Sequence, residues 1–273
     1  MYAEYWQLNE KPFELTPDPR YLYYSHEHEE ALTRLIYTVK DLKGAMMITG
    51  LYGCGKTILS RVFLNELVSL RYEVALITNP RLSANELLVE IVYQLGGGDN
   101  EGKSKGELLR MFNEIIYANL NMGKETVIVI DEAQAIQDLE TFEELRLLLN
   151  FQQDNRFLIT LILFGQSELR KQLKQLPQLK QRLMIEYHLN SLNERDSGQY
   201  IDHRLKVAGS NRPIFSDTAK KIIYRYSSGV PRIINGIADM ALLAGLEQKK
   251  REISETIIKK VVNDAQLEAP WAA

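Results

Sequence analysis

Two groups of residues in this chain have the types and spacing to act on a nucleotide. Residues 50–57 read GLYGCGKT, which fits G-x-x-x-x-G-K-[ST], and they sit between the apolar run MMIT and a segment of helical periodicity that starts at Thr57. A strand, a glycine turn and a helix in that order aim backbone N–H groups and a helix N-terminus at a phosphate chain. The pattern assigns phosphate contacts to Gly50, Gly53, Cys54, Gly55, Lys56, Thr57 and Ile58. Lys56 would reach the β- and γ-phosphates of ATP, and the Thr57 hydroxyl would ligate Mg²⁺. The second group comes 75 residues after Lys56, where the apolar run VIVI ends in Asp131 and Glu132. In a sheet covered by helices, ligands collect at the carboxyl ends of the strands. Asp131 suits the Mg²⁺ shell, and Glu132 suits the base that orients water for attack on the γ-phosphorus. A strand ending in Asp-Glu is by itself usually a solvated strand end; paired with the phosphate loop at this separation it points to ATP hydrolysis.

Three further residues extend the site. The run ITLILF delivers Gly165 and Gln166 to the same sheet edge, where Gln166 reads either as a sensor of the γ-phosphate and attacking water or as part of the helix-starting turn GQSE. Arg182 precedes the last apolar run; its fork of donors matches phosphate oxygens on a neighbouring subunit, and the alternative is a surface arginine. Gly229-Val230-Pro231-Arg232 ends one helix and starts another, leaving Arg232 in a first turn. A cation there opposes the helix dipole, so it calls for an anion, and ATP supplies one.

Parallel strands must position these residues. Residues 44–49, 73–78, 126–131, 157–164 and 182–189 are short apolar runs rich in β-branched residues. Helical patterns separate them: one over 57–70 with apolar Leu59, Val62, Phe63, Leu67 and Leu70, and two opened by the capping boxes Ser83/Glu86 and Ser104/Glu107. Strands alternating with helices predict an α/β fold, a five-stranded parallel sheet covered on both faces. After Asn193 the strand signals stop, and helices are expected near 193–208, 216–227, 231–248 and 254–266. The resulting division is an aromatic N-terminal segment with the first helix over 1–43, an α/β core over 44–190 and a helical domain over 191–273. GGGDNEGKSKG, residues 96–106, reads as a mobile surface loop.

Composition excludes several classes. The chain has 273 residues, 25% charged and 45% hydrophobic, with a net charge of −3, which rules out a disordered or fibrous protein. Cys54 is the single cysteine, so no intrachain disulfide forms. Neither a membrane-spanning run nor a signal sequence is apparent, and the expectation is a cytoplasmic protein. Charge is uneven: residues 1–166 hold 15 Lys+Arg and 24 Asp+Glu, residues 167–273 hold 18 and 12. Arg170, Lys171, Lys174, Lys180 and Arg182 form a basic cluster that suits a DNA backbone or a solvated helix face. His26 and His28 are two apart on a helix capped by Ser25 and do not face one another, which disfavours a metal site. The aromatics Tyr5, Trp6, Phe13, Tyr21, Tyr23 and Tyr24 would pack on adenine or cover an apolar face. Cys54 reads as a small residue that fits the loop, and alkylating it would block nucleotide access.

Taken together, GLYGCGKT, VIVIDEAQ, Arg182 before the last strand and GVPR resemble the AAA+ ATPases, in which a P-loop NTPase domain precedes a small helical lid. KPFELTPDPRYLYYSHEHEEAL, FGQSELRKQL and YIDHRLKVAG further resemble the ExeA, or general secretion pathway protein A, branch, which is related to the ATPases that regulate transposition. The resemblance implies that Arg182 acts in trans as an arginine finger, that Arg232 is the second sensor and Gln166 the first. Gln166 departs from the Asn, Thr or Ser common at that position. The resemblance also implies a homo-oligomer, ring or filament, with ATP and Mg²⁺ at subunit interfaces and the N-terminal segment over the nucleotide. By the same resemblance it would act on a protein partner of a secretion or envelope system, peripherally at the inner membrane through that partner, or alternatively on double-stranded DNA. The membrane span and cell-wall-binding domain that secretion members often carry are not expected here.

Overall fold

The computed structural model describes residues 1–68, 71–153 and 156–265. Its five-stranded sheet consists of β1 (Ala45–Gly50), β2 (Tyr72–Ile77), β3 (Glu125–Ile130), β6 (Ile159–Gly165) and β7 (Leu183–Leu189), and two short strands, β4 (Gln152–Gln153) and β5 (Arg156–Phe157), form a separate antiparallel pair. The order is β2-β3-β6-β1-β7, all parallel. The expected fold class is therefore the observed one. Parallel neighbours need crossovers, and the helical patterns between the strands supply them.

Helices α1 (Tyr2–Trp6), α2 (His26–Lys40), α3 (Lys56–Val68), α4 (Ala84–Val92), α5 (Lys105–Asn121), α6 (Leu139–Leu148), α7 (Ser167–Leu173) and α8 (Pro177–Arg182) accompany or precede the sheet; α9 (Glu194–Val207), α10 (Asp217–Ser227), α11 (Pro231–Glu247) and α12 (Glu255–Asp264) follow it. Both capping boxes form as expected, at Ser83/Glu86 and Ser104/Glu107. Leu70, which closes the expected 57–70 helix, and residues 266–273 lie outside the described residues.

The chain divides into two compact units, one of Glu29–Gly50 and Leu59–Leu189, the other of Met1–His28, Leu51–Ile58 and the chain from Asn190 onward. In the first, alternate strand residues are buried on opposite faces. Ala45, Met47, Ile128, Ile130, Leu161 and Leu163 join one core with Leu88, Phe112 and Phe142 of α4, α5 and α6. Met46, Ile48, Val129, Ile162 and Phe164 are as fully buried on the other face, where Thr38 of α2 donates to Met46 Sδ at 3.2 Å. Strands buried on both faces explain their unbroken apolar runs. In the second unit, α9–α12 close on their own core together with Tyr2, Trp6, Leu8 and Phe13.

Three expectations need correction. The run 157–164 is not one strand: Phe157 ends β5, Leu158 is a bend and β6 starts at Ile159. Arg182 does not open β7 but ends α8, since Pro177 at the first helical position sets a helical turn there. Residues 96–106 are not wholly a loose loop. A Cβ on Gly97 would come within 2.5 Å of Val92 Cγ1, and the buried Asn100 donates to the Val89 carbonyl at 3.0 Å. The glycines there permit close packing as well as turning.

Candidate functional site

Within the unit that holds it, the phosphate loop is a turn against which Lys56, Arg232 and His28 pack. Gly53 and Gly55 have φ +82° and +103°, where L side chains are strained. Each glycine also lies against a neighbour: a Cβ at Gly53 would come 2.7 Å from Arg232 Cβ, and one at Gly55 3.0 Å from His28 Nε2. The Lys56 ammonium is buried and donates to the Leu51 carbonyl at 3.0 Å, crossing the loop from the first residue of α3. Thr57 and Ile58 follow in the same first turn.

Arg232 is brought to this loop, although the sequence separates them by most of the chain. Its N–H donates to the Gly53 carbonyl at 3.3 Å, and its guanidinium stands 4.8 Å from the Tyr52 ring. Local structure dictates the approach. Gly229, at φ +73°, leaves no room for a Cβ beneath the Leu192 carbonyl, and Pro231 starts α11 one residue before Arg232. An exposed cation at a helix start, opposed by the helix dipole, is thereby placed over a loop of N–H donors.

His28 is a contact the sequence reading missed. Its Nδ1 pairs with Ser25 Oγ at 2.7 Å, and the ring bonds the Cys54 backbone carbonyl, so the imidazole backs the phosphate loop. Burial pushes its pKa below the ordinary 6.5, partly offset by the Cys54 carbonyl and the negative charges of Glu27 and Asp196. Neutral His28 then accepts from Ser25 and donates to Cys54. No sequence signal marks this, since the helix position of His28 alone gives no hint of the loop. Cys54 itself is fully buried, and burial raises its thiol pKa, so alkylation would be slow and is a poor probe of nucleotide access.

Of the N-terminal aromatics, Trp6 and Phe13 are buried in the helical core, and Tyr5 and Tyr23 pack against it. Trp6 Nε1 donates to the Leu242 carbonyl at 2.9 Å, Phe13 meets Phe215 edge-on at 6.0 Å, and Tyr23 OH bonds Gln199 Oε1 at 2.7 Å. Tyr5 OH donates to the Lys250 carbonyl. Arg204 locks the segment by donating to the Pro12 and Glu14 carbonyls while its guanidinium lies 4.5 Å from the Tyr21 ring. Tyr24 alone of the six is largely exposed.

The carboxylate group lies in the sheet unit. Asp131 is buried at the end of β3; its N–H donates to the Ile77 carbonyl and its Oδ1 accepts from the Glu132 N–H at 2.9 Å. Glu132 has φ 51° and ψ 37°, a left-handed conformation that a non-glycine residue adopts at some cost. Its Oε2 accepts from Gln134 Nε2 at 2.5 Å and from Gln166 Nε2 at 3.4 Å. Gln166 thus meets Glu132, and although it precedes α7 its side chain makes no cap bond. Asp131, a buried carboxylate, offers the kind of oxygen donor that Mg²⁺ prefers.

Arg182 ends α8 and donates from Nη2 to Asn150 Oδ1 at 3.0 Å. Of the basic cluster, Arg170, Lys174 and Lys180 line one cavity of about 400 Å³ with Met47, Leu173, Leu183 and Glu186; Lys171 and Arg182 are not part of it.

The chain is similar to several known proteins. The AAA domain family matches residues 39–173. General secretion pathway protein A of Aeromonas hydrophila is 39% identical over 257 residues, 93% of this chain and 46% of the relative, so the chain spans about half the length of that protein. Among solved structures, Drosophila ORC bound to DNA superposes with a TM-score of 0.74 at 15% identity, over 97% of this chain and 66% of that one. ORC2 of Aeropyrum pernix in its ADPNP-ADP complexes gives 0.71 at 17%, over 94% and 72%. Likeness at such identities speaks for the fold. No helix among the described residues is long and apolar enough to cross a membrane. The chain thus carries a match to the AAA domain family over residues 39–173 and is similar, over 93% of its length, to general secretion pathway protein A.

Proposed function

We propose that this protein binds ATP with Mg²⁺, hydrolyses it at the interfaces of a homo-oligomer, and couples turnover to remodelling or assembly of a protein partner in a secretion or envelope system. The seating of Arg232 on the GLYGCGKT loop supports this reading most directly, because a cation opposed by its own helix dipole needs an anion, and the loop is built for phosphate. Backbone N–H groups of Gly53, Cys54, Gly55, Lys56, Thr57 and Ile58, with Gly50 at the entry, hold the phosphate chain, and Lys56 swings from the Leu51 carbonyl to the β- and γ-oxygens. Thr57 and Asp131 would hold Mg²⁺, which would supply positive charge to those oxygens. Glu132 accepts the proton of the attacking water, Gln166 orients that water, and Arg182 of a neighbouring subunit stabilises the transferring phosphoryl group. The secretion role is carried over from the similar secretion pathway protein, and the protein would sit in the cytoplasm, peripheral to the inner membrane through that partner.

Arg170, Lys174 and Lys180 around one cavity favour a second reading, ATP-dependent binding of double-stranded DNA. Labelled-duplex anisotropy at physiological salt, together with light scattering, tests both, using Glu132→Gln to hold the ATP state and Lys56→Ala as the control. The proposal expects ATP-dependent assembly of Glu132→Gln with no duplex binding. ATP-dependent duplex binding that Lys56→Ala loses would put the DNA reading first, and an ATP-saturated Glu132→Gln that stays monomeric would contradict the interface site.

A further inference from the structure

We infer that Gln134, which the phosphate-loop and Asp-Glu motifs do not include, is a positioning residue for Glu132. The inference rests on the proposed role of Glu132 as base. Gln134 uses both ends of its amide. Nε2 donates to Glu132 Oε2 at 2.5 Å, and Oε1 accepts the backbone N–H of Gln166 at 2.9 Å. The bridge therefore ties the carboxylate to the residue that ends the run after β6 and starts α7. The same helix grips the turn from the other side, since Gln172 Nε2 donates to the carbonyls of Gln134 and Ile136 at 3.1 Å each.

Two features show that the position is built around this side chain. A Cβ on Gly165 would come within 3.1 Å of Gln134 Oε1 and 2.7 Å of Leu169 Cδ2, so the closeness of the amide to the strand end depends on glycine there. Glu132 also holds a left-handed backbone that local sequence does not favour, and a conformation of that kind persists when surrounding contacts over-determine it. Among the described residues the carboxylate's side-chain partners are the two glutamine amides, and the Gln166 bond, at 3.4 Å, is the longer. Gln134 thus sets the direction of the carboxylate, while Gln166 remains available to the water. Only a neutral amide of this length both donates to a carboxylate and accepts a backbone N–H; a glutamate at 134 would accept at both ends and repel Glu132.

Gln134 lines an open polar cavity of about 410 Å³ with Arg81, Gln137 and Gln172, so shortening it opens space to solvent and leaves the apolar core intact. The Gln134→Ala variant is tested in two ways. First, backbone hydrogen exchange is followed in the nucleotide-free full chain: the Gln166 amide should exchange about 10-fold faster or more while β1 and β3 amides keep their protection. An unchanged Gln166 rate would overturn the bridge, whatever the protein's activity. Second, steady-state hydrolysis should show kcat down about 10-fold with KM and nucleotide affinity within about twofold, and no further loss when Gln134→Ala is added to Glu132→Gln. A fall in kcat that adds in full to that of Glu132→Gln, or kcat within twofold of wild type, would overturn the positioning role. Full turnover in Glu132→Gln alone would instead reject the base assignment, and the exchange result would still decide the bridge.

Discussion

The phosphate loop and the carboxylate turn are built by opposite strategies. Eight consecutive residues make the loop, and its conformation is held by buried or backbone contacts: glycine φ values, the Lys56–Leu51 bond, the Arg232 N–H on Gly53 and the His28 ring on Cys54. The backbone of the carboxylate turn is also held, by Asp131 N–H on Ile77, Ala135 N–H on Glu132 and the Gln172 amide on the Gln134 and Ile136 carbonyls, but the Glu132 carboxylate is aimed by side-chain amides reaching from Gln134 and Gln166. A rigid backbone cradle suits a constant ligand, the phosphate chain. Side-chain amides suit a group whose alignment changes between states. Damage to the loop half should therefore appear in nucleotide affinity, and damage to the carboxylate half or to Arg182 in turnover.

The largest effect should come from Arg182→Ala, which removes charge stabilisation in the transition state: about 10³-fold in kcat with ATP affinity retained. Normal hydrolysis in this variant, assayed where the protein is assembled, would break the interface model. Lys56→Ala should show the reverse split, weakening nucleotide binding about 100-fold by loss of charge-assisted bonds, as read by direct titration. Unchanged affinity would show that the loop is not the phosphate cradle.

His28→Ala sharpens the comparison with a smaller change. It leaves the Cys54 carbonyl without a buried donor, which costs about 1–3 kcal/mol and lowers Tm by several degrees. It should weaken nucleotide affinity a few-fold without changing kcat. Because burial depresses the His28 pKa, the unfolded chain takes up a proton that the folded protein does not. The stability so linked is complete above about pH 6.5 and is lost as pH falls below it. His203, also depressed by burial, acts in the same sense, so the readout is the difference between wild type and His28→Ala in a thermal scan from pH 8 to 5. A Tm difference that does not shrink on acidification would contradict the neutral, buried His28.

Much of the fold is legible from local pattern alone. Apolar runs give the five strands, buried nearly throughout in β1, β3 and β6, and Ser83 and Ser104 cap the helices they announce, because these signals lie within a few residues of one another. What is lost is what depends on proximity across the chain. Helix α6 has no counterpart in the sequence reading, although Asp138 caps it through the Thr141 N–H. Gly97 packs against Val92 where composition suggests only a loose loop, and Trp6 and Phe13 complete the helical core where composition leaves adenine open. The motif residues Lys56, Asp131 and Glu132 stand out because each follows a strand; His28 and Gln134 do not, because one is recognisable only by its ring on Cys54 and the other only by its two-ended amide. The single-strand reading of 157–164 fails for a related reason, since apolar character does not reveal the bend at Leu158.

The proposed site hydrolyses ATP with Mg²⁺, with Glu132 as its base. The most direct test compares steady-state ATP hydrolysis of wild type and Glu132→Gln, with labelled-nucleotide titration on the same samples. The account predicts measurable wild-type turnover and a fall of about 10²-fold or more in Glu132→Gln at unchanged ATP affinity. Wild-type turnover in Glu132→Gln, or no turnover in the assembled wild-type protein, would contradict it.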